Sequence, residues 1–241
     1  MKRTALFAMV ASAMLTGACN FNRDSRERDA GPEVERNFQV GEFSGISVAG
    51  PYDVTITTGG KPGVSAKGGE NLLNETEVVV EDGQLKIRPK KNNGIRWNWR
   101  EGKASFTVTA ASIQSAGIAG SGEVKIDKVA GDFSGDVAGS GDLEIGELNG
   151  GAIKMDIAGS GDIRAKGKAD SVDLGIAGSG DIDLGGVTAR TADVSIAGSG
   201  NIKASASETA KVNIMGSGNV DIAGGAKCEI SKAGSGNVNC H

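Results

Sequence analysis

The sequence predicts an all-β protein, specifically a parallel β-helix with coils of 18–20 residues. Three observations predict this fold: a Gly-Ser-Gly motif that returns seven times, apolar residues at every second position on both sides of it, and a polar residue just after it. Repeats of this length are typical of solenoids, in which one coil buries its apolar face only by stacking on its neighbours.

The Gly-Ser-Gly motif begins at Gly120, Gly139, Gly159, Gly178, Gly198, Gly216 and Gly234, at intervals of 18–20 residues. Glycine permits a positive φ and lets neighbouring backbones approach closely, so the motif predicts a sharp bend between two strands. The usual chirality of parallel crossovers predicts a right-handed coil.

The apolar positions have the period of a β-strand and not that of a helix. They stand two and four residues before the first glycine and four and six residues after it. The column four residues after it, for example, is Val124, Leu143, Ile163, Ile182, Ile202, Val220 and Val238. A third, shorter inward contact is expected nine residues past the first glycine, at Val129, Leu148 and Val187.

A polar column follows each bend, three residues after the first glycine: Glu123, Asp142, Asp162, Asp181, Asn201, Asn219 and Asn237. Short polar side chains at turns bond nearby backbone amides, and we expect this ladder to do so. Stacked carboxylates repel each other by about 0.9 kcal/mol per pair in bulk water, so calcium binding by the acidic half is the alternative. We predict no metal site and no cofactor.

Residues 1–18 are predicted to be a signal peptide. Lys2 and Arg3 precede an apolar run, residues 5–15, that is too short to span a bilayer. The run ends in Leu-Thr-Gly-Ala-Cys, which resembles the bacterial lipobox. Cys19 is therefore the predicted lipidation site and the membrane a predicted partner. The alternative is an ordinary signal peptide followed by an unmodified cysteine.

Residues 19–37 are polar and charge-dense, which favours a disordered tether. The β-helix domain is predicted over 38–241, with irregular rungs and a hairpin in 38–112 and regular Gly-Ser-Gly coils in 113–241. Within the irregular part, residues 48–54 are similar to the repeat, with Pro51 and Tyr52 in place of Ser-Gly. We also expect a hairpin from 76–81 and 84–88, one helical turn at Leu72 and Leu73, and a strand at 104–110.

Residues 90–103 form the most unusual segment, because it contains both tryptophans of the chain. The candidate binding residues are Arg96, Trp97, Trp99 and Arg100, since aromatic and arginine side chains dominate contact surfaces. They could stack on sugars or lie near lipid headgroups. The alternative is that both rings cover the apolar end of the solenoid. Further basic residues make this part of the chain locally basic: Lys86, Arg88, Lys90 and Lys91.

Cys228 and Cys240 stand six residues on either side of Gly234, at inward positions of the last coil. An exported protein permits a disulfide, and this pair is the predicted one, with two buried free thiols as the alternative. The bond would stabilise the last coil by at most about 3 kcal/mol, because the closed loop is short. Lys232 replaces an inward Ile or Val, and an inward charge discourages further stacking of strands.

No catalytic residues are predicted. The single histidine is the terminal His241, so a histidine-based triad or zinc site has nothing to build on. Gly-Ser-Gly lacks the Gly-x-Ser-x-Gly spacing of a nucleophile elbow. The net charge of −4, on an exported chain, argues against nucleic acid as a partner. A polysaccharide-active β-helix enzyme that uses stacked carboxylates is the alternative function.

Several motifs together resemble the putative auto-transporter adhesin, head GIN domain family: the lipobox, the opening Phe-Ser-Gly-Ile-Ser-Val-Ala-Gly-Pro-Tyr-Asp-Val, the strand at 82–87 and the repeated Ala-Gly-Ser-Gly-Asp/Asn. The resemblance covers about 38–241 and implies a β-helix on a secreted or lipid-anchored bacterial protein, without catalytic residues. We therefore expect a non-enzymatic envelope lipoprotein, anchored in the outer membrane on its periplasmic or surface face. Its expected role is adhesion, binding of envelope polysaccharide or protein, or structural support.

Overall fold

The computed structural model describes residues 28–90, 99–100 and 103–241, and these form the predicted β-solenoid, with about seven turns of about 19 residues. The irregular N-terminal part contains β1 (Arg28–Asp29), β2 (Glu33–Phe38), β3 (Gly45–Ala49), β4 (Tyr52–Thr58), β5 (Gly63–Gly69), α1 (Glu70–Asn74), β6 (Thr76–Glu81), β7 (Gln84–Pro89), β8 (Trp99–Arg100) and β9 (Ala104–Ala110).

The regular coils contain twelve strands, two of which run through a whole coil. They are β10 (Ser115–Gly120), β11 (Glu123–Ala130), β12 (Phe133–Gly139), β13 (Asp142–Asn149), β14 (Ala152–Gly159), β15 (Asp162–Lys168), β16 (Ser171–Gly178), β17 (Asp181–Gly198), β18 (Asn201–Gly216), β19 (Asn219–Ala223), β20 (Lys227–Gly234) and β21 (Val238–Cys240). Strand segments that precede a Gly-Ser-Gly corner form face A, and those that follow it form face B.

Equivalent residues of successive coils lie in parallel register, so each sequence column is a ladder in space. Ile176, for example, pairs with Ile157 on one side and with Ile196 on the other. All three are buried, as the strand period predicts. The third inward contact is also confirmed, because Val129 and Leu148 are buried and in register.

The N-terminal rungs do not stack in chain order. The first rung, β3 with β4, lies directly on β10 and β11, with Val48 opposite Ile118 and Val54 opposite Val124. The rung outside it consists of β7, which pairs with β3, and β9, which pairs with β4. The chain therefore builds an outer rung from 84–110 before it returns to continue the stack at Ser115.

Antiparallel strands and a helical turn close this end of the solenoid. The predicted hairpin is confirmed: β6 pairs with β7 around Asp82 and Gly83, which both have positive φ. The predicted helical turn is α1, with Leu72 and Leu73 buried. Beyond β9 lie β5 and then β2, each antiparallel to its neighbour.

The prediction of a disordered tether over 19–37 is wrong for its second half. Residues 28–29 form β1, and residues 33–38 form β2 on the edge of the large sheet. The reason is that Val34 and Phe38 alternate with polar residues and pack against the core, a strand pattern that the local excess of charge obscured.

Tyr52 shows how the first rung departs from the repeat. In the coils this corner position is the second glycine of the motif, and Tyr52 occupies it with a fully buried side chain. Its ring meets Phe106 edge-on, with centroids 5.4 Å apart, and its hydroxyl lies 2.9 Å from Thr76 Oγ1. Tyr52 thereby links the first rung to the outer rung and to β6.

Candidate functional site

The Gly-Ser-Gly corner brings backbone against backbone. The first glycine of every motif has a φ between 121° and 143°, a region that favours glycine. A side chain on the second glycine would collide with the coil before it: at Gly180, a Cβ would meet the carbonyl oxygen of Gly161 and the side chain of Ile157. The motif therefore repeats because coil stacking requires it, and only its exposed serines are left for other contacts.

The polar ladder after the corner bonds from coil to coil, as the turn interpretation predicts. Asp162 Oδ1 accepts a hydrogen bond from the Asp181 amide at 3.2 Å. Asp181 Oδ1 accepts from both the backbone amide and the side-chain Nδ2 of Asn201, each at 2.9 Å. Among the residues that the structure describes, no group of three or more His, Cys, Asp and Glu is arranged to hold a metal ion.

A second ladder on face B was missed by the sequence reasoning, although its signal is present five residues after the first glycine of the first six motifs. Its members alternate in charge along the stack: Lys125, Glu144, Arg164, Asp183, Lys203 and Asp221. The Lys203 ammonium lies 3.9 Å from Asp183, and Lys125 lies 3.9 Å from Glu144. Exposed ion pairs of this kind contribute at most about 1 kcal/mol each to stability. The alternation still favours the correct stacking order, because a coil paired with the next-but-one coil would place like charges side by side.

The outer side of face A carries a row of exposed alanines, one per coil: Ala119, Ala138, Ala158, Ala177 and Ala197. Beside this row lies a shallow groove of about 580 Å³, whose polar lining includes Asp136, Lys154, Asp156 and Asp173. Lys154 Nζ bridges two carboxylates, at 2.8 Å from Asp156 and 3.4 Å from Asp173. The hydrogen bond to Asp156 raises the pKa of Lys154.

This groove is better suited to contact than to proton transfer. A general acid needs a carboxyl that burial keeps protonated near neutral pH. The carboxylates of Asp156 and Asp173 are instead 40% and 60% exposed and share the charge of Lys154. Polar and small apolar groups alternate across an open surface, which fits an extended partner.

The predicted site residues at the N-terminal end are only partly described. Cys19, Arg96 and Trp97 lie outside the described residues. Trp99 and Arg100 form β8, which pairs in parallel with β1, so that Arg28 stands opposite Trp99 and Asp29 opposite Arg100. The structure thus brings half of the candidate binding segment together with the start of the described chain.

The basic character of this region is smaller than the sequence suggests. On the hairpin, Lys86 Nζ lies 2.8 Å from Glu81, and Arg88 bonds Glu77 at 2.7 Å and Glu81 at 2.9 Å. The hydrogen bonds from Lys86 and then Arg88 lower the pKa of Glu81. The basic side chains of the hairpin are therefore paired with carboxylates of the same hairpin, and they do not form a free basic surface.

The C-terminal end of the solenoid is less covered than the coils. Ile230 is 51% exposed, whereas its neighbour in the same inward column, Val212, is fully buried. Lys232 occupies the place of Ile214 and donates a hydrogen bond to the Gly236 carbonyl at 2.9 Å.

The structure joins Cys228 and Cys240 as a disulfide across this last coil, with Cα atoms 6.7 Å apart. The bond in the mature protein stays a prediction. Peptide mapping without reductant checks it, and two free thiols in freshly purified oxidised protein would contradict it.

Several solved structures share this fold. A putative lipid-binding protein from Parabacteroides distasonis ATCC 8503 is 27% identical, with a TM-score of 0.72 over 90% of this chain and 100% of that chain. A putative adhesin from Bacteroides fragilis NCTC 9343 is 23% identical, with a TM-score of 0.77 over 89% and 100% of the two chains. A putative adhesin from Parabacteroides distasonis ATCC 8503 is 21% identical, with a TM-score of 0.68 over 88% and 99%.

No curated protein shows significant similarity to the chain. No helix in the described part of the chain is long and apolar enough to cross a membrane. A model of the family "Putative auto-transporter adhesin, head GIN domain" matches residues 42–226, which is more than half of the sequence. This match confirms the resemblance seen in the motifs, and the chain belongs to the head GIN domain family of putative auto-transporter adhesins.

Proposed function

We propose that this chain is a lipid-anchored, non-enzymatic protein of the bacterial cell envelope that presents its solenoid surface to a polymer or protein partner. One observation carries the proposal: the polar ladder at the corner is occupied with bonds between coils, while the outer faces stay shallow and open. The family to which the chain belongs is named for adhesion, which supports a place in the envelope or on the cell surface. A structural neighbour named as a lipid-binding protein supports a role at the membrane.

Attachment through Cys19 is the first part to test. Cys19→Ser is expected to move the protein from the membrane fraction to the soluble fraction of the envelope. The double variant Cys228→Ser/Cys240→Ser is the matched control, because it removes cysteines without touching the anchor and should stay in the membrane fraction. Equal membrane retention of Cys19→Ser and the wild type would refute lipid attachment.

Binding of the partner is proposed to involve Arg96, Trp97, Trp99 and Arg100. A glycan array with the soluble domain tests envelope polysaccharides directly. The variant Trp97→Ala/Trp99→Ala should lose affinity at a nearly unchanged melting temperature. Met215→Ala is the control, since Met215 is another large apolar side chain and is 67% exposed. A clear fall in melting temperature would instead assign the two tryptophans to covering the core, because large apolar surfaces would leave it.

A polysaccharide-active enzyme remains the second candidate, favoured by one feature of the groove on face A. Asp136 and Asp156 stand in register on neighbouring coils, so their backbones lie about one strand spacing, or 4.8 Å, apart. Retaining glycosidases hold their two carboxyl groups about 5 Å apart, a separation that side chains on neighbouring strands can reach. Release of reducing ends from envelope polysaccharides measures this activity. We expect none above the level of an Asp136→Asn/Asp156→Asn variant, and a difference between the two proteins would favour the enzyme.

A further inference from the structure

A single large apolar side chain projects from the outer side of face A. Met215 is 67% exposed and stands in the row of alanines, paired with Ala197 on one side and with Ala233 on the other. Among the described residues, only Ile230 is a comparably exposed large apolar residue, and it belongs to the inward column that the last coil leaves uncovered. Met215 has no such place in the stack. Methionine adapts its shape to a partner and is common on binding surfaces.

Charged side chains form a second row on this face, four residues before the alanine row. Its members in the distal five coils are exposed and in register: Lys154, Asp173, Asp193, Lys211 and Glu229. The row between the two carries one charge: Asp156, Gly175, Ser195, Asn213 and Ser231. The row before the charged one also carries one: Ala152, Ser171, Thr191, Thr209 and Lys227. These four rows are the distal surface of face A.

The charged row is complementary to itself when its order is reversed about Asp193. Asp173 then stands opposite Lys211, and Lys154 stands opposite Glu229. A two-fold axis that runs along the strand of Asp193 produces this reversal, because it turns the distal surface of a second copy onto that of the first and inverts the direction of its stack. Both pairs of opposite charges form twice, once on each side of the axis.

The same two-fold arrangement gives Met215 a partner. It brings Met215 of each copy opposite Ala177 of the other, at the shallow groove of face A, where the small alanine leaves room for the methionine. Asn213 comes opposite Gly175, over which the Asp156 carboxylate lies, so that an amide donor meets a carboxylate. Packed sheets lie about 10 Å apart, a distance that these side chains can span together.

The arrangement contains one unfavourable contact at its centre. Asp193 lies on the axis and faces Asp193 of the second copy. Asp156 stands opposite Ser231. Lys227 stands opposite Ala152, so neither of these two charges meets a like charge. At the rim, like charges face one another in water, where they contribute little, and they belong to the bend before face A: Asp170, Arg190 and Glu208.

The size of the distal surface predicts a weak pair. Five strand segments, each about seven residues long and about 4.8 Å from the next, cover about 24 Å by about 23 Å. The two copies together therefore bury about 1,000 Å², which is at the lower end for specific interfaces between proteins. We expect a reversible dimer with a dissociation constant of about 10–100 μM.

We propose that the distal surface of face A binds the same surface of a second copy of this chain, with the two solenoids antiparallel. This inference deepens the proposed function, because it names the protein partner, and it rests on the lipid anchor only for its consequence at the membrane. The chain enters the solenoid at the N-terminal end, where the Ala30 carbonyl accepts the Asn71 amide of α1 at 2.9 Å. Antiparallel copies therefore carry their tethers at opposite ends of the pair, which suits molecules anchored in two facing membranes.

Sedimentation of the mature chain, with Cys19→Ser so that no lipid is present, tests the dimer itself. A monomer–dimer equilibrium is expected in the range given above, and a chain that stays monomeric at about 1 mM would overturn the proposal. At about 1 μM the chain should be monomeric. Met215→Ala therefore remains a valid control for glycan binding when that affinity is measured at this lower concentration.

Charge reversal tests which residues face each other. Lys211→Glu and Asp173→Lys should each weaken the dimer at least about tenfold, because each variant places like charges opposite one another twice. An equimolar mixture of the two variants should associate about as strongly as the wild type. In the mixed pair, one contact joins the two introduced charges, which have opposite signs, and the other is the wild-type pair. A variant that fails to fold cannot produce this rescue, and a mixture no stronger than the separate variants would overturn the proposed pairing.

The matched control is Lys203→Glu, which reverses an exposed lysine of the same strand, β18, on face B and should leave the dimer unchanged. Equal weakening by Lys203→Glu and Lys211→Glu would contradict a contact through face A.

Two further variants test the centre of the contact. Met215→Lys places a charge against Ala177 and should weaken the dimer at least about tenfold. Asp193→Asn has the opposite sign: it removes the like charges at the axis and should tighten the dimer about two- to fivefold. Unchanged or weaker association of Asp193→Asn would contradict a two-fold axis at this residue.

Vesicles test the antiparallel arrangement. One population carries Lys211→Glu and another carries Asp173→Lys, each chain coupled through Cys19 to a maleimide lipid. Light scattering should rise when the two populations are mixed and stay low for either population alone. Lipid attachment in cells is decided separately by the fractionation of Cys19→Ser, since chemical coupling does not depend on it. No rise in scattering, from variants that pair with each other in solution, would overturn the antiparallel arrangement.

Discussion

The regular coils and the N-terminal rungs build one continuous sheet by different means. In the coils, a single residue pattern repeats, so that each Gly-Ser-Gly corner fits the corner before it and each ladder continues in chain order. In the N-terminal part, the rung from 84–110 lies outside the rung from 45–58, and Tyr52 stands where the coils require glycine. A repeated residue pattern is enough to add coils to the stack, whereas the N-terminal end is closed by contacts, such as those of Tyr52, that are not repeated in the coils.

The two ends of the stack repeat this contrast. The N-terminal end is closed by antiparallel strands and by α1, which leave its inward residues buried: Ile46, Val48, Leu72, Leu85 and Ile87. The C-terminal end keeps the repeat nearly to the last residue, and Ile230 is half exposed there. Lys232 and the Cys228–Cys240 pair distinguish this coil from the others. A charge at an inward position, such as that of Lys232, discourages the addition of a further strand.

The largest expected effect comes from removing a buried side chain from the core that the coils share. Ile176 is 3% exposed and lies between two coils, so Ile176→Ala should lower the free energy of unfolding by about 2–5 kcal/mol through the cavity that it leaves. Because the coils share one core, we expect a single thermal transition at lower temperature. Calorimetry measures both quantities.

Ile230→Ala is the matched control, since it removes the same atoms from the open C-terminal end. Ile230 is 51% exposed, and the cost should be about 1 kcal/mol or less. Comparable losses for the two variants would mean that the last coil is as well covered in solution as the central ones. That result would contradict the difference in burial between the central coils and the last coil.

The next effect singles out the first rung, through the one tyrosine of the chain. Burial raises the pKa of Tyr52 from 10.0 to about 12, and the hydrogen bond with Thr76 partly opposes this rise. The neutral phenol therefore stabilises the fold fully below pH 10, and this contribution is lost as the pH rises through 12. The loss should reach about 2–3 kcal/mol.

Phenolate absorbance follows Tyr52 alone, and unfolding with denaturant at stepped pH follows stability. In Tyr52→Phe the steep loss between pH 10 and 12 should disappear, although other groups still titrate there. An absorbance midpoint near pH 10 in the folded protein would contradict the buried position of Tyr52.

The difference between the two regions also explains what the sequence could predict. The burial of each inward column follows from a period of two residues, and the β6–β7 turn follows from Asp82-Gly83. The order of the N-terminal rungs does not follow, because the strands of 84–110 carry no repeat that would set their register against 45–58. The alternating charges on face B were readable from the sequence and were overlooked. The candidate binding segment has no periodicity, so the pairing of Trp99 and Arg100 with β1 required the structure.

The glycine corners offer a smaller test of the same difference. Gly180→Ala places a Cβ against the Gly161 carbonyl, and we expect a cost of about 1–3 kcal/mol or more from overpacking. Gly131→Ala, at an open bend with a φ of +81°, meets no atom within 4 Å and should cost about 1–2 kcal/mol from its backbone conformation alone. Chemical denaturation ranks the two variants, and a larger cost at Gly131 would show that packing between corners does not decide the motif.

The smallest expected effect concerns the polar ladder, where Asp181→Asn should change the free energy of unfolding by less than about 0.5 kcal/mol. In the wild type, Asp181 Oδ1 accepts a hydrogen bond from the Asn201 amide at 2.9 Å. An Asn side chain at this position keeps an Oδ1 that can accept the same bond, and the substitution removes one negative charge from an acidic column.

Asp183→Lys is the contrasting variant on the adjacent ladder. It would place three cations in a row, with Arg164 and Lys203 on either side, and should destabilise more than Asp181→Asn at low salt. Melting with and without calcium completes the test: a large loss from Asp181→Asn, together with calcium-dependent melting of the wild type, would show that the ladder binds metal and is not merely a row of turn residues.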